Sequence, residues 1–391
     1  MKAEFVIIGG GVVGASVAAH LTERGAKDVL ILDCESAQGS GSTGKATGGV
    51  RAQFETEINI KMSLYSLRFF KDWEFDCQYE PRGYLFFGTN ESQFEYLRRN
   101  VETQRKLGVK DARVVDAQEI SEICPILNVA DITGGSFGRH DGFINPLAVM
   151  RGFTSQALAN GARLEFGCRA LAIETAGGKV KSVATDKGRI ECEKTVICTG
   201  AWARELAGTA GVDLPVEPQK RQIVWAKSER PLPANLPMVI DIGSGFHFRP
   251  ARDFLDSSAN SDNTEVLFAY PDPHEQASFD TNFDKSFVEK VYARARHRAP
   301  FLFETVPVLE KCRAGLYENT PDHHAILGGC AAVEGLYFAN GFSGHGVMHS
   351  PATGRALAEI ILDGGASFLD VSCLSFERFA KGELLHETAF I

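Results

Sequence analysis

Glycines at positions 9, 11 and 14 follow an apolar run, Phe5 to Ile8, and precede a segment with helical periodicity. At GxGxxG spacing, Gly9 permits a tight turn, Gly11 lets a pyrophosphate approach the backbone, and Gly14 lets the helix pack closely on the strand. The helix N-terminus then offers N–H groups and a partial positive charge to phosphate. A second apolar run, Val29 to Leu32, ends in Asp33, where a carboxylate can accept hydrogen bonds from ribose hydroxyls. The chemistry is dinucleotide binding, with NAD and FAD both open on these residues alone. Beyond Asp33, the run Ser36 to Gly49 (SAQGSGSTGKATGG) supplies hydroxyls and backbone N–H groups for phosphates or a planar ring. Arg51 follows its last glycine pair between apolar Val50 and Phe54, as a bidentate clamp for a carboxylate would. Near the other end, Leu336 to Asn340 reads as a strand, GFSGHG as a glycine turn and Val347 to Leu362 as a helix. A ligand held by both glycine turns must bring the two ends of the chain together. The second helix N-terminus would favour an anionic reduced form of a reducible ring.

A chain of 391 residues with 44% hydrophobic content can build two domains and a large core to position these groups. A net charge of -9 and the absence of a long basic cluster argue against a nucleic-acid partner. No stretch of about 18 uninterrupted apolar residues is present to form a transmembrane segment. The N-terminal apolar run fits a Rossmann unit better than a secretion signal. Nine cysteines without CxxC spacing, an odd number, point to reduced thiols and a cytoplasmic location.

Residues 56 to 76 carry helical spacing, with Ile60, Leu64, Leu67 and Phe70 on one side. Gly83 to Gly88 reads as a buried strand, Glu91 to Leu107 as a charged helix and Arg113 to Val115 as a short strand, and Asp116 with Glu119 forms a capping box. A helix from Leu147 to Asn160 ends at Gly161 as a left-handed cap would end it. Strands at Arg163 to Phe166, Ala170 to Thr175 and Lys179 to Thr185, then Lys194 to Cys198 and a small-residue turn, depart from the strand and helix alternation of a simple NAD unit and favour FAD. Strands at Gln222 to Ala226, Phe246 to Arg249 and Glu265 to Ala269 surround a polar loop, Asp256 to Asn263, and precede a helix, Ser286 to Arg298. The expected fold is α/β, a Rossmann-like FAD-binding domain from 1–78, 145–212 and 316–391. Residues 79–144 and 213–315 would form a second, α+β substrate domain on a mainly antiparallel sheet.

In this order, VIIGGGVVGAS, GSTGKATGGVRAQF, DGFINP, CTGAW, GLYENTPDHHAILG and GFSGHGV make nearly the whole chain resemble the glycine and D-amino-acid oxidase superfamily of FAD flavoproteins. It is most similar to the branch of the monomeric sarcosine oxidases, the beta subunits of sarcosine oxidase and L-proline dehydrogenase, and the dimethylglycine dehydrogenases. The resemblance implies that Gly9, Gly11 and Gly14 hold the pyrophosphate, Asp33 the adenosine ribose, and Ser42 and Thr43 phosphate oxygens. Ala46, Thr47, Gly48 and Gly49 would pass the isoalloxazine, Ala170 would offer its backbone to adenine, and Thr199, Gly200 and Trp202 would lie near pyrophosphate and flavin. Gly341, Phe342, Ser343, Gly344, His345, Gly346, Val347 and Met348 would bracket the pyrimidine end of the ring.

Three departures matter. Gly315 stands where some relatives tether the flavin through cysteine, and Lys45 where others tether it through histidine, so the FAD is expected to be non-covalent. Met348 replaces a lysine that serves the substrate carboxylate in the monomeric oxidases, which favours a dehydrogenase passing electrons to a partner subunit or quinone. The implied reaction is oxidation of an amine C–N bond to an imine, in an amino acid or N-methylated glycine of the sarcosine, dimethylglycine, proline or D-amino-acid type. Arg51 would bind the carboxylate and His345 would hydrogen-bond near the ring or substrate. Tyr84, Gln222, His247, Tyr270 and Met348 would line the substrate pocket. Adjacent His323 and His324 beside Asp322 lack the spacing of a metal site. A nicotinamide enzyme fits the second glycine turn poorly, and a non-catalytic flavoprotein acting as an assembly or scaffold factor is the alternative function.

Overall fold

The computed structural model describes residues 1–251 and 263–387. Of the polar loop expected at 256–263, all but Asn263 lies outside the described residues.

The two short apolar runs at the N-terminus form the centre of the first sheet, because four consecutive buried residues suit a strand covered on both faces. Phe5–Ile8 pairs in parallel with Val29–Leu32 on one side and Lys194–Ile197 on the other. Val333–Asn340 lies parallel beyond Lys194–Ile197, and Arg163–Glu165 parallel beyond Val29–Leu32. The carboxyl ends of these strands therefore open at one edge, where the turns at Gly9, Thr199 and Gly341 emerge together, the position at which open α/β sheets bind ligands. The helices following the two glycine turns, Val12–Glu23 and Gly346–Asp363, pack on each other. Small residues allow the approach: a Cβ on Gly354 would lie on the Ser16 hydroxyl, which donates to Ser350 O at 2.7 Å. The expected meander is present, Ala170–Ala176 and Lys179–Thr185 pairing antiparallel. Gly161 ends the helix Pro146–Ala159 with φ 95°.

The second sheet runs Val306–Pro307, Glu217–Lys227, Glu265–Ala269, His247–Pro250, Met238–Asp241, Tyr84–Gly88, Gly134–Gly138, Arg113–Val115. All neighbours are antiparallel except Met238–Asp241 with Tyr84–Gly88. Strand alternation divides its faces. Leu85 and Phe87 join Phe248, Phe268, Phe287 and Val291 in a core under the helix Ser286–Arg298, whereas Tyr84 and Phe86 cluster with Met238 and Ile240 on the opposite face. Arg313–Asn319 pairs with the first part of Glu217–Lys227 and so carries the chain from this sheet back toward the first. The capping box forms, Glu119 N donating to Asp116 Oδ1 at 2.9 Å and Asp116 N to Glu119 Oε2 at 3.2 Å.

Several elements differ from the sequence reading. The run Ser36 to Gly49 contains a helical turn, Ser42–Lys45, and the helix expected to reach residue 76 ends at Asp72. Gly134–Gly138 is a strand despite its glycines, because a Cβ on Gly134 would enter the Phe94 ring and one on Gly135 would strike Phe86 O. Met238–Asp241 and Ile326–Cys330 are further strands, the first too short and the second too glycine-rich to show a periodicity. Among the described residues no helix is long and apolar enough to cross a membrane.

Candidate active site

A cavity of about 770 Å³ opens between the two sheets, in the upper part of the range for small-molecule and cofactor sites. One end is the glycine edge of the first sheet. Gly9, with φ 109°, sits against Cys198 O, and a Cβ on Gly14 would lie 1.9 Å from Gly9 O. Gly14 thus brings the helix onto the turn without itself lining the cavity. Gly11, at the head of that helix, supplies no side-chain cap and the first turn holds no acidic residue, so that, apart from Val12 N, its positive end is left to the cavity. Thr43 Oγ1 accepts from Val12 N at 3.1 Å, and the Ser42 hydroxyl donates to Leu316 O at 2.8 Å. Asp33 lines the cavity while Oδ2 accepts from Gly10 N (3.1 Å) and Oδ1 from Glu35 N (2.9 Å), and burial raises its pKa. Thr199 Oγ1, beside them, is buried with no hydrogen-bond partner. Uncapped helix ends, a cradle that a Cβ would fill and this orphaned hydroxyl fit a dinucleotide.

The segment Lys45 to Gly49 crosses the middle of the cavity, and its carbonyls are held from the second sheet. Arg313 donates to Lys45 O at 3.2 Å and Ala46 O at 3.3 Å, and Arg249 to Thr47 O and, at 2.6 Å, Pro250 O. Burial lowers the Arg249 pKa to about 9. Gly48 has φ 75° and accepts from Ile144 N, while Gly49 lies directly on the Tyr84 hydroxyl. Gly315 faces the Lys45 side chain.

At the other end, Arg51 is buried between the rings of Phe54 (3.8 Å) and Phe86 (5.3 Å). Its Nη1 donates to Gln53 O, and its Nη2 lies 3.4 Å from His345 Nε2. Burial, with the nearby guanidinium next, holds the His345 pKa well below its ordinary value. The ring is neutral, and donation from Arg51 places its proton on Nδ1. His345 stands at the start of Gly346–Asp363, again without a side-chain cap. Tyr84, Gln222, His247, Tyr270 and Met348 all line this end. Gln222 Oε1 accepts from Asp284 N (2.7 Å), and His247 Nδ1 donates to Gly245 O (2.8 Å).

The cavity also collects Lys45, Ala46, Thr47, Ala170, Gly200, Trp202, Gly315, Phe342, Gly344, Gly346 and Val347. Gly341 and Ser343, like Gly14, stand behind the wall. Gly341 turns at φ 71° against Thr320, and the Ser343 hydroxyl donates to Gly341 O at 3.3 Å. Sequence reasoning did not single out Arg221, Tyr317, Glu318 or Phe279, which line the cavity. The available signal for Tyr317 was its place two residues beyond Gly315, on the same face of a strand-like run, and nothing local marked Glu318 or Phe279, which stacks on Trp202 at 5.5 Å. Glu318 is pushed up to about 7 by burial. Asp322 is committed to Arg378 and His324 Nε2 to Thr56, which accounts for both without a metal.

The family model described as FAD dependent oxidoreductase, DAO, matches residues 4–360. FAD-dependent oxidoreductase domain-containing protein 1 of Xenopus laevis is 30% identical, over 99% of this chain and 84% of that protein. Mitochondrial dimethylglycine dehydrogenase of Mus musculus is 27% identical over 97% of this chain, which spans 44% of it. L-proline dehydrogenase from P. horikoshii superposes with a TM-score of 0.88 at 29% identity, covering 98% of this chain and 99% of that one.

Proposed function

The chain belongs to the DAO family of FAD-dependent oxidoreductases, and from that premise we propose that it oxidises the amine C–N bond of an amino acid or N-methylated glycine to an imine. The observation that carries this reading is the joining, in one cavity, of a dinucleotide cradle at the glycine turns and a cationic, aromatic chamber at Arg51, Tyr84, Arg221 and Tyr317. FAD, when bound, supplies the two-electron oxidation. The chain supplies the rest. Gly9, Gly11 and Asp33 take the adenosine diphosphate half, and Lys45 to Gly49 and Gly344 to Met348 flank the ring. The uncapped start of Gly346–Asp363 stabilises negative charge there. The cationic chamber receives a carboxylate and excludes water from the amine. Neutral His345 accepts from Arg51 and adds no second positive charge beside the substrate nitrogen.

Gly315 offers no side chain for a tether, which supports non-covalent FAD. Apolar Met348 and the likeness to two dehydrogenases support a dehydrogenase whose acceptor is a partner subunit or quinone. Nine unpaired cysteines support a reducing, cytoplasmic-type compartment. The test is steady turnover of the FAD-loaded protein with a dye acceptor and sarcosine, dimethylglycine, L-proline, glycine and a set of D-amino acids. Turnover with one of them, faster with dye than with oxygen, is expected. Retained FAD with no turnover on any amine favours the non-catalytic, scaffold reading.

A further inference from the structure

Four arginines approach the chamber end of the cavity, and three direct their guanidinium at the protein. Arg51 donates to Gln53 O and faces His345, Arg249 donates to Thr47 O and Pro250 O, and Arg313 to Lys45 O and Ala46 O. Arg221 differs. It is half-buried in the cavity wall, Nη1 makes one bond, to Lys220 O at 3.2 Å, and Nε is buried with no hydrogen-bond partner. Among the described residues no carboxylate lies within ion-pair distance of it. Glu275 and Asp272 act on it only through their longer-range field. A guanidinium removed from water with donors unmet is costly, and a planar anion that takes two of them in parallel offsets the cost.

The local sequence builds this exposure. Arg221 lies in Glu217–Lys227 directly opposite Gly315, the one position of the partner strand with no side chain to cover it. The next residue on that face of Arg313–Asn319 is Tyr317, whose ring centroid is 5.3 Å from the Arg221 guanidinium. The hydroxyl end of the same ring lies on Gly344, in the second glycine turn. One tyrosine ring therefore separates the unmet cation from the turn that would flank the flavin. Gln222, Tyr270 and neutral His247 line the same end, and the stem of Lys45 lies against Gly315, a second cation of the cavity wall that, unlike Arg221, has no planar fork for a carboxylate.

We propose that Arg221 is the residue that recognises the substrate carboxylate, with Arg51 positioning His345 and the second glycine turn rather than holding substrate. This rests on the amine-oxidising reading above, but its test does not require turnover. The probes are methoxyacetate and tetrahydrofuran-2-carboxylate, ether counterparts of sarcosine and proline with no oxidisable amine, and their neutral amides. Binding to the FAD-loaded protein is measured by calorimetry and by the shift in the flavin spectrum. Wild type is expected to bind a carboxylate at least tenfold more tightly than its amide. R221M should abolish that preference while leaving amide binding and FAD content unchanged, and R221K should restore part of it as a charge without the bidentate fork. Unchanged carboxylate affinity in R221M, a parallel fall for acid and amide, or no carboxylate preference in wild type would each overturn the assignment. A protein that shows the Arg221-dependent preference but oxidises no amine would instead contradict the proposed function alone.

Discussion

Gly49 and Tyr84 offer a test of how the flavin-side segment is seated on the second sheet. A Cβ on Gly49 would lie 1.7 Å from the Tyr84 hydroxyl oxygen and 3.0 Å from Cζ. Gly49 does not have a left-handed φ, so alanine costs nothing in backbone strain and the whole penalty is steric. Neither partner can retreat: Gly49 is held by pairing to Phe143, and Tyr84 is buried in the sheet between Met238 and Gly138. Overpacking of this kind costs about 1–3 kcal/mol, and G49A belongs at the upper end because two atoms must separate by roughly the width of an oxygen. Y84F removes the atom in conflict and leaves a contact that a few tenths of an ångström of movement accommodates. G49A in the Y84F background should therefore cost only about 1 kcal/mol, a coupling of about 1–2 kcal/mol. Urea denaturation of the four proteins, with FAD affinity measured in parallel, gives the cycle. If G49A costs the same in both backgrounds within about 0.5 kcal/mol, the two residues do not meet as described.

Gly14→Ala should weaken FAD binding at least tenfold by ultrafiltration, although Gly14 does not line the cavity. Its Cβ would strike backbone Gly9 O, and retained affinity would deny the glycine its packing role. Asp322→Asn should cost about 3–5 kcal/mol in urea, since it leaves Arg378 buried without the carboxylate it contacts at 2.8 and 2.9 Å; a loss under about 1 kcal/mol would contradict the buried pair. Asp141 and Glu318 are raised by burial from 3.8 and 4.5 to about 7, so the folded protein keeps protons that the unfolded chain releases. Stability of the FAD-free protein should accordingly fall as pH rises from about 4 to 7, by roughly 4 kcal/mol for Asp141, and D141N should flatten the slope; an equal slope in both proteins would refute the assignment.

The cofactor end was legible because its chemistry is local. The glycines at 9, 11 and 14, the acid at 33 and the turn at 341 to 346 each lie within a few residues of the strand or helix that they serve. The chamber end was legible only in part. Arg51 could be placed near the site from its neighbours, and its bond to Gln53 O is local, yet its engagement with His345 depends on the far end of the chain. Arg221 is exposed to the cavity because Gly315, on a strand paired through tertiary structure, carries no side chain. The strand Gly134–Gly138 was not singled out for the same kind of reason, since the ring and carbonyl that lie against its glycines belong to Phe94 and Phe86. The helical turn Ser42–Lys45 exists because Gly44 fits against Gly39 O, a contact that small-residue composition alone does not reveal.

The most direct measurement is anaerobic mixing of the FAD-loaded protein with each amine while the visible absorbance of oxidised flavin is followed. Amine oxidation in this cavity predicts bleaching by at least one carboxylate-bearing amine and not by its amide, with slow recovery when air is admitted. Full FAD occupancy with no bleaching by any of these amines would contradict the proposed reaction.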